Sequence, residues 1–260
     1  MSNKIHPSAQ IADSAKIGSG NEIGAFVVIE DDVVIGDNNV LLTGAVLKSG
    51  SRLGHQNSIH EHAVIGGLPQ DVGFKPTTPS FVYLGNRNVI REFVTIHRAS
   101  QENQSTQLGN ENYLMTQVHI GHDCQLANNV IIAPSTGLGG FVTVEDRAFI
   151  SGGVMVHQFV HIGSVAMIGG NAKITQDVLP FMMVDGNPAH VSGLNKVGLR
   201  RAGYNLDATR AIKAGFHIVF NNEVKMEERL NQLSQLDHTA TAHLLAFIQA
   251  SKRGFHRQKA

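Results

Sequence analysis

The sequence predicts a mainly-β protein: a parallel β-helix of hexapeptide repeats over residues 1–185, then a small α-helical domain over 186–260. Three observations predict it. An aliphatic residue recurs at every sixth position from Ile5 to Ile65, again at Leu84, Ile90 and Ile96, and without a miss from Leu108 to Ile174. Four places after most of these stands a small residue or an asparagine, as at Asn21, Asn39, Ala45, Ser51, Asn57, Ala63, Val118 and Cys124. After Pro180 the six-residue spacing ends and helical spacing takes over.

A period of six fits neither an α-helix nor a heptad, but it fits short strands that turn every sixth residue. Three such strands close one roughly triangular coil of about eighteen residues. The aliphatic fills the interior and the small residue sits at a crowded corner. Glycine often follows the aliphatic, as at Gly18, Gly54, Gly85 and Gly121. Glycine or asparagine is expected to supply the left-handed backbone of the turns. The two interruptions, "GGLPQDVGFKPTTPS" and "RASQENQSTQ", predict loops protruding at about 66–80 and 98–107.

Beyond Pro180 the chain reads as short helices. Asn205 or Asp207 suits a helix cap, with Ile212, Phe216, Val219 and Phe220 as the apolar face that follows. Leu230, Leu233 and Leu236 suit a second helix, and Leu244, Leu245, Phe247 and Ile248 a last one. From Pro180 onward eleven Lys/Arg face six Asp/Glu, a net of +5 in a chain of zero net charge. A basic helical end suits an acidic partner or a phosphate-bearing ligand.

The neutral total charge argues against nucleic acid as a partner. A single cysteine excludes an internal disulfide. No window approaches the length of a membrane-spanning segment, and the first residues carry no apolar leader. The expectation is a soluble, cytoplasmic protein.

Chemistry concentrates in "QVHIGHDCQL", Gln117 to Leu126. The six-residue frame sorts this cluster. Ile120 points inward and Cys124 takes the small corner position, a buried structural role rather than that of a nucleophile. His119, His122 and Asp123 face outward. Residues eighteen apart stack one coil above another, about 4.8 Å away, so Gly140 stands over His122 and Gln158 over Gly140. A glycine above an imidazole leaves an open notch and a bare backbone N–H, which Gln158 and its neighbour His157 close on the far side. Such an edge serves acyl transfer, with His122 as general base and the N–H holding an oxyanion. Asp123 would orient the imidazole, from around a turn or across a subunit boundary, because neighbours on one strand point oppositely. Two other readings stay open here. His97, His119 and His122 could hold zinc across a trimer interface, as in a gamma-type carbonic anhydrase-like hydratase. The coils could also be a scaffold without catalysis.

Hexapeptide-repeat proteins of this pattern form left-handed β-helices, and the motifs carry a closer resemblance. "HIGHDC", "NVIREFVTIHR", "VHQF", "GNPAH" and "GLRRAG", in this order over nearly the whole chain, resemble the acyl-[acyl-carrier-protein]–UDP-N-acetylglucosamine O-acyltransferases, which open lipid A biosynthesis. The resemblance implies homotrimers with active sites in clefts between β-helices. It implies transfer of a 3-hydroxyacyl chain from acyl carrier protein to the 3-position of the sugar nucleotide, with no metal or bound cofactor. It makes His122 the base, Asp123 its orienting carboxylate and Gly140 the oxyanion donor. His97, His119, His157 and Gln158 line the cleft, Asp71 contacts the sugar and Gly170 limits acyl length. Asn195 and Arg201 contact the nucleotide. The basic C-terminal helices receive the acidic carrier protein.

The sequence departs from the family pattern in four places. Phe141 stands where a histidine is usual, Gly73 where a lysine is usual (Lys75 comes later), Val197 for a glutamate and Ala202 for a second arginine. The departures fall in the donor and nucleotide shells. They leave open an N-acyltransferase acting with the same base on a 3-amino UDP-sugar.

Overall fold

A computed structural model describes residues 2–259. The chain winds as a left-handed parallel β-helix. Among the described residues, strands of mostly two residues stack into three sheets of eleven, nine and eight strands, one per face of the prism. Ile120 pairs with Leu138, the eighteen-residue offset of one coil. Ile59 pairs with Ile90, 31 residues on, and Ile96 with Ile120, 24 residues on. The extra residues at these two places are the two loops. The second loop is shorter than its polar sequence suggests, because Ser105–Leu108 is a strand whose Thr106 is fully buried. Arg98 ties the first loop down: Nη2 donates to Pro76 O at 2.9 Å and the guanidinium lies 5.6 Å from the Phe74 ring centre.

The interior matches the six-residue frame. Ile29, Leu41, Ile59, Ile90, Ile120, Leu138 and Ile168 are buried to within 1%. Each such side chain contributes roughly 1.5–3 kcal/mol by leaving water. Inside one corner the asparagines form a ladder. Asn39, Asn57, Asn88 and Asn112 each donate their backbone N–H to the Oδ1 of the asparagine one coil below, at 2.8–2.9 Å. Their amides therefore satisfy backbone groups that burial would otherwise orphan.

The corners correct one expectation. Left-handed backbone falls at the third residue after most interior aliphatics, and that residue is often neither Gly nor Asn: Phe26, Asp123, Phe141 and Phe159 have φ of 57°, 61°, 62° and 65°. The glycines that directly follow the aliphatics serve close stacking instead. A Cβ on Gly54 would stand 2.6 Å from Gly85 O, and one on Gly85 2.5 Å from Gly109 O.

The coils end in a hairpin, Met182–Asp185 and His190–Leu194, that spans the 185/186 division. Helices α1 (Lys196–Arg201), α2 (Leu206–Val219), α3 (Met226–Ser234) and α4 (Thr239–Ala250) follow. Of the two candidate caps Asn205 serves, its Oδ1 accepting from Ala208 N at 2.9 Å, while Asp207 sits in the first turn. Ile212, Val219, Leu233, Leu244 and Phe247 are buried.

An ion cluster joins α4 to the coils. Glu145 Oε2 accepts from His243 Nε2 at 2.8 Å, and Oε1 lies 2.9 Å from His161 Nε2. Burial alone would raise the Glu145 carboxyl, but hydrogen bonding to His161 and His243 outweighs it and holds the group at about 2. The bond to Glu145 raises His243 above its usual value, against its own desolvation. The raised His243 stabilises the fold fully below its unfolded value of 6.5, and this contribution is lost as pH rises through the raised value. Thermal unfolding between pH 6 and 9 should therefore show a decline that His243→Gln flattens.

Candidate active site

The site grows from the corner after the strand His119–Ile120. Ile120 anchors the turn inside. Gly121 lets the next coil close, since a Cβ there would meet Leu138 O at 2.8 Å. His122 and Asp123 then occupy the turn itself. Strand alternation lapses at the left-handed Asp123, so both side chains emerge together: His122 Nδ1 and Asp123 Oδ2 are 2.7 Å apart within one chain. The pair forms around the turn within one chain, the first of the two routes that alternation left open. A carboxylate only accepts, so Nδ1 carries the proton and Nε2 is left with a lone pair.

Asp123 is itself held. Its Oδ2 accepts from Ser100 N at 2.9 Å and Ser100 Oγ at 2.7 Å, and its backbone N–H donates to Thr106 Oγ1 at 2.8 Å. Ser100 went unnoticed in the sequence, where it is one polar residue in a polar loop. Only the return of that loop over the corner brings it against a partner 23 residues further along the chain. Removing one hydrogen bond to a charged group costs roughly 1.5–3 kcal/mol. Ser100→Ala should therefore lower kcat about tenfold or more with KM nearly unchanged, as initial rates would show.

Gly140 lies directly against the imidazole: a Cβ there would stand 2.5 Å from His122 Cε1 and 2.7 Å from Nε2. The Gly140 N–H has no acceptor among the described residues. A cleft of about 460 Å³ opens at this point, lined by His97, His119, His122, Gly140, His157 and Gln158, with Gln70 reaching in from the first loop. Phe141 meets the His122 ring edge-on at 5.3 Å and stacks on Phe159 at 4.8 Å. His97 and His119 pack edge to face, ring centres 4.8 Å apart. Burial, then the neighbouring His119 and His122, push His97 down to about 4. Burial and His122 lower His119 as well. Both rings are thus held neutral beside the base. The His97 Nδ1 is buried without a partner, and Gly67 makes room for the ring, since a Cβ there would meet Cδ2 at 2.9 Å.

Cys124 is fully buried, its Sγ donating to Gly139 O at 3.1 Å, and burial pushes the thiol up to about 12. It fills a corner, as the repeat frame requires. The zinc arrangement does not form within one chain. Among the described residues, the trio of metal-type donors that converge within 4.8 Å is His60, Glu61 and Glu92, not His97, His119 and His122. Arg91 already occupies Glu92, at 2.7 Å.

The remaining candidates lie elsewhere. Asp71 is exposed beside Gln70, its Oδ1 accepting from Gly73 N at 2.8 Å. Gly170 follows the strand Met167–Ile168, in a different sheet and at a different corner from His122. It is exposed, and a Cβ there would touch only Gly152 O, at 3.5 Å. Asn195 is buried and caps α1: Oδ1 accepts from Gly198 N and Nδ2 donates to Val165 O, both at 2.8 Å. Its side chain thus holds α1 with one of its two N–H groups and one lone pair of its oxygen. Arg201 ends α1 and is exposed, as is Val197. Ala202 borders a second cavity of about 500 Å³ with Tyr204, Arg147 and His243. One chain therefore assembles His97, His119, His122, Asp123, Gly140, His157 and Gln158, and keeps Gly170, Asn195 and Arg201 outside the cleft.

Comparison with known proteins gives the chain its relatives. Residues 177–256 match the family model described as UDP N-acetylglucosamine O-acyltransferase, domain 2. The acyl-[acyl-carrier-protein]–UDP-N-acetylglucosamine O-acyltransferase of Burkholderia orbicola (strain MC0-3) is 42% identical over 213 residues, 79% of this chain and 80% of that protein. The protein of the same name from Synechocystis sp. is 41% identical over 207 residues, 79% of this chain and 75% of that one. The crystal structure of the UDP-N-acetylglucosamine acyltransferase from Bacteroides fragilis superposes with a TM-score of 0.94 at 36% identity, covering 97% of this chain and 100% of that one. That from Francisella novicida gives 0.94 at 33% identity, covering 98% and 94%. On this similarity, spread over most of its length, the chain belongs to the acyl-[acyl-carrier-protein]–UDP-N-acetylglucosamine O-acyltransferase family.

Proposed function

We propose that this protein transfers a 3-hydroxyacyl chain from the pantetheine thiol of acyl carrier protein to the 3-hydroxyl of UDP-N-acetylglucosamine, the first step of lipid A biosynthesis. The observation that carries the mechanism is His122, bonded through Nδ1 to Asp123 and presenting an unpartnered Nε2 beside Gly140. The sugar 3-hydroxyl attacks the thioester carbonyl carbon while His122 Nε2 takes its proton. The carbonyl oxygen becomes an oxyanion that the Gly140 N–H stabilises. Collapse breaks the C–S bond, and the imidazolium returns the proton to the departing thiolate. Atoms and charge balance without an acyl-enzyme, a metal or a bound cofactor. Asp123 holds the tautomer and stabilises the cation that forms.

The distribution of the remaining candidates supports a homotrimer. Gly170 and Arg201 lie away from the His122 corner of their own chain, so the roles the resemblance gives them call for a neighbouring copy, and a closed threefold ring of copies would make three equal sites. In that assembly an exposed arginine binds a nucleotide phosphate, Asp71 meets the sugar, and Gly170 leaves room for a longer acyl chain. The net +5 over residues 180–260 draws the acidic carrier protein. No helix among the described residues is long and apolar enough to cross a membrane, in keeping with a soluble enzyme of the cytoplasm.

The same base would serve an amine, and the departures at Phe141, Val197 and Ala202 bear on the acceptor. A panel of carrier-protein thioesters offered to UDP-N-acetylglucosamine and its 3-amino analogue, with mass spectrometry of the nucleotide sugar, tests the assignment. The expected result is an O-acylated UDP-N-acetylglucosamine. Acylation of the amine alone would move the assignment to the N-acyltransferase, and no acylated sugar nucleotide at all would refute it.

A further inference from the structure

The far wall of the cleft is strapped by the end of the chain. After α4 the residues run back along the last coil, and Asp177 anchors them. Its backbone N–H donates to Gly254 O at 3.0 Å, its O accepts from His256 N at 3.1 Å, and its Oδ2 accepts from Ser251 Oγ at 2.7 Å. Asp177 and Phe255 also form an isolated β-bridge. Between these anchors stands Arg253. Its Nη1 donates to Gln158 O at 2.9 Å, its Nη2 donates to Thr175 O at 3.0 Å, and the same Nη2 lies 3.2 Å from His157 Nδ1. Its Nε is buried, so the guanidinium is nested against the corner rather than free in solvent. Thr175 stands eighteen residues after His157, so one side chain joins two successive coils at the rim of the cleft.

A guanidinium has five N–H donors and no acceptor. Its approach to His157 Nδ1 requires a lone pair on that nitrogen. Gln158 O lies 3.1 Å from the same Nδ1 and could take a proton from it, but a proton on Nδ1 would set one donor against another, the Arg253 Nη2 at 3.2 Å, and leave that donor no lone pair. In the neutral ring the proton then resides on Nε2. We infer that Arg253 is a positioning residue for the transfer reaction: it fixes His157 as the Nε2–H tautomer and pins the His157–Gln158 turn against the cleft. This inference rests on reading the cleft as the site of acyl transfer. His157 so held offers a directed N–H to a carbonyl or hydroxyl oxygen of the bound substrates. Without Arg253 the ring is free to give Nδ1–H to Gln158 O, and Nε2 then turns a lone pair toward the same substrate oxygen.

Long-range 15N–1H correlation spectra of the full chain, labelled at histidine, report the tautomer directly, with His157 assigned by its loss in His157→Gln. The wild-type ring is expected as Nε2–H. Arg253→Met, which keeps much of the apolar stem and has no donor, should shift it toward Nδ1–H and lower kcat/KM about tenfold, the value of one lost directed hydrogen bond. Arg253→Lys, still a donor only, should retain Nε2–H. An Nδ1–H ring in the wild type would overturn the inference whether or not the variants fold. So would an Arg253→Met protein of unchanged melting temperature with an unchanged ring spectrum and rate. The ring spectrum needs no turnover, so failure of the substrate assignment would be seen separately, in the activity arm.

Discussion

His122→Ala should lower kcat/KM by roughly 100- to 10,000-fold, the range spanned by loss of a positioned general base, while the protein keeps its circular dichroism and melting temperature. The separation of effects follows from where the ring sits. His122 is outside the prism, bonded to Asp123 and facing the cleft, whereas the coil is held by Ile120 and Cys124, which the substitution leaves in place. Initial rates of thiol release from an acyl carrier protein thioester, measured with saturating UDP-N-acetylglucosamine, provide the number. A variant within fivefold of the wild type would mean that the proton goes elsewhere, and the assignment of His122 would fall.

Gly140→Ala is expected to cost about 100-fold in kcat although it adds one methyl group, because a displacement near 1 Å at the reacting centre is worth about that much. The new Cβ would stand 2.5 Å from His122 Cε1 and 2.7 Å from Nε2, closer than any real contact allows. The ring must therefore swing, breaking its 2.7 Å bond to Asp123 or tilting Nε2 from the cleft. The backbone N–H survives in the variant, so the loss reads ring placement and notch volume together. Unimpaired activity would mean that the imidazole has slack at the reacting position, contrary to the tight contact between these two residues.

The six-residue repeat explains why so much of this was legible in the sequence. A period of six carries its own geometry, so Ile120 inside, Cys124 at the corner and Gly140 over His122 all follow from counting. The interior cluster then left few outward positions for the polar residues of "HIGHDC". Counting failed where the backbone leaves the repeat. Strand alternation left Asp123 two routes to His122, around a turn or across a subunit boundary, and only the left-handed turn at Asp123 decides for the first. Counting gave the turns to glycine and asparagine, whereas asparagine also builds an internal ladder and glycine admits the neighbouring coil. Two further contributors were out of reach. Ser100 and Arg253 come to the corner from 23 and about 95 residues away, on a loop and on a terminal segment whose paths no local pattern encodes. The substrate shell rests on resemblance alone, since Gly170 and Arg201 lie at other places on their own chain.

Direct transfer by a histidine base leaves the chain's one cysteine buried and inert beside it. Intact-mass spectrometry of the enzyme, mixed in stoichiometric amount with a 3-hydroxyacyl carrier-protein thioester and quenched over milliseconds to minutes, tests this most directly. The enzyme is expected to keep an unchanged mass at every time, with or without sugar nucleotide, while UDP-N-acetylglucosamine gains one acyl group as the thiol is freed. An acylated enzyme that forms without the sugar and disappears on its addition would contradict it.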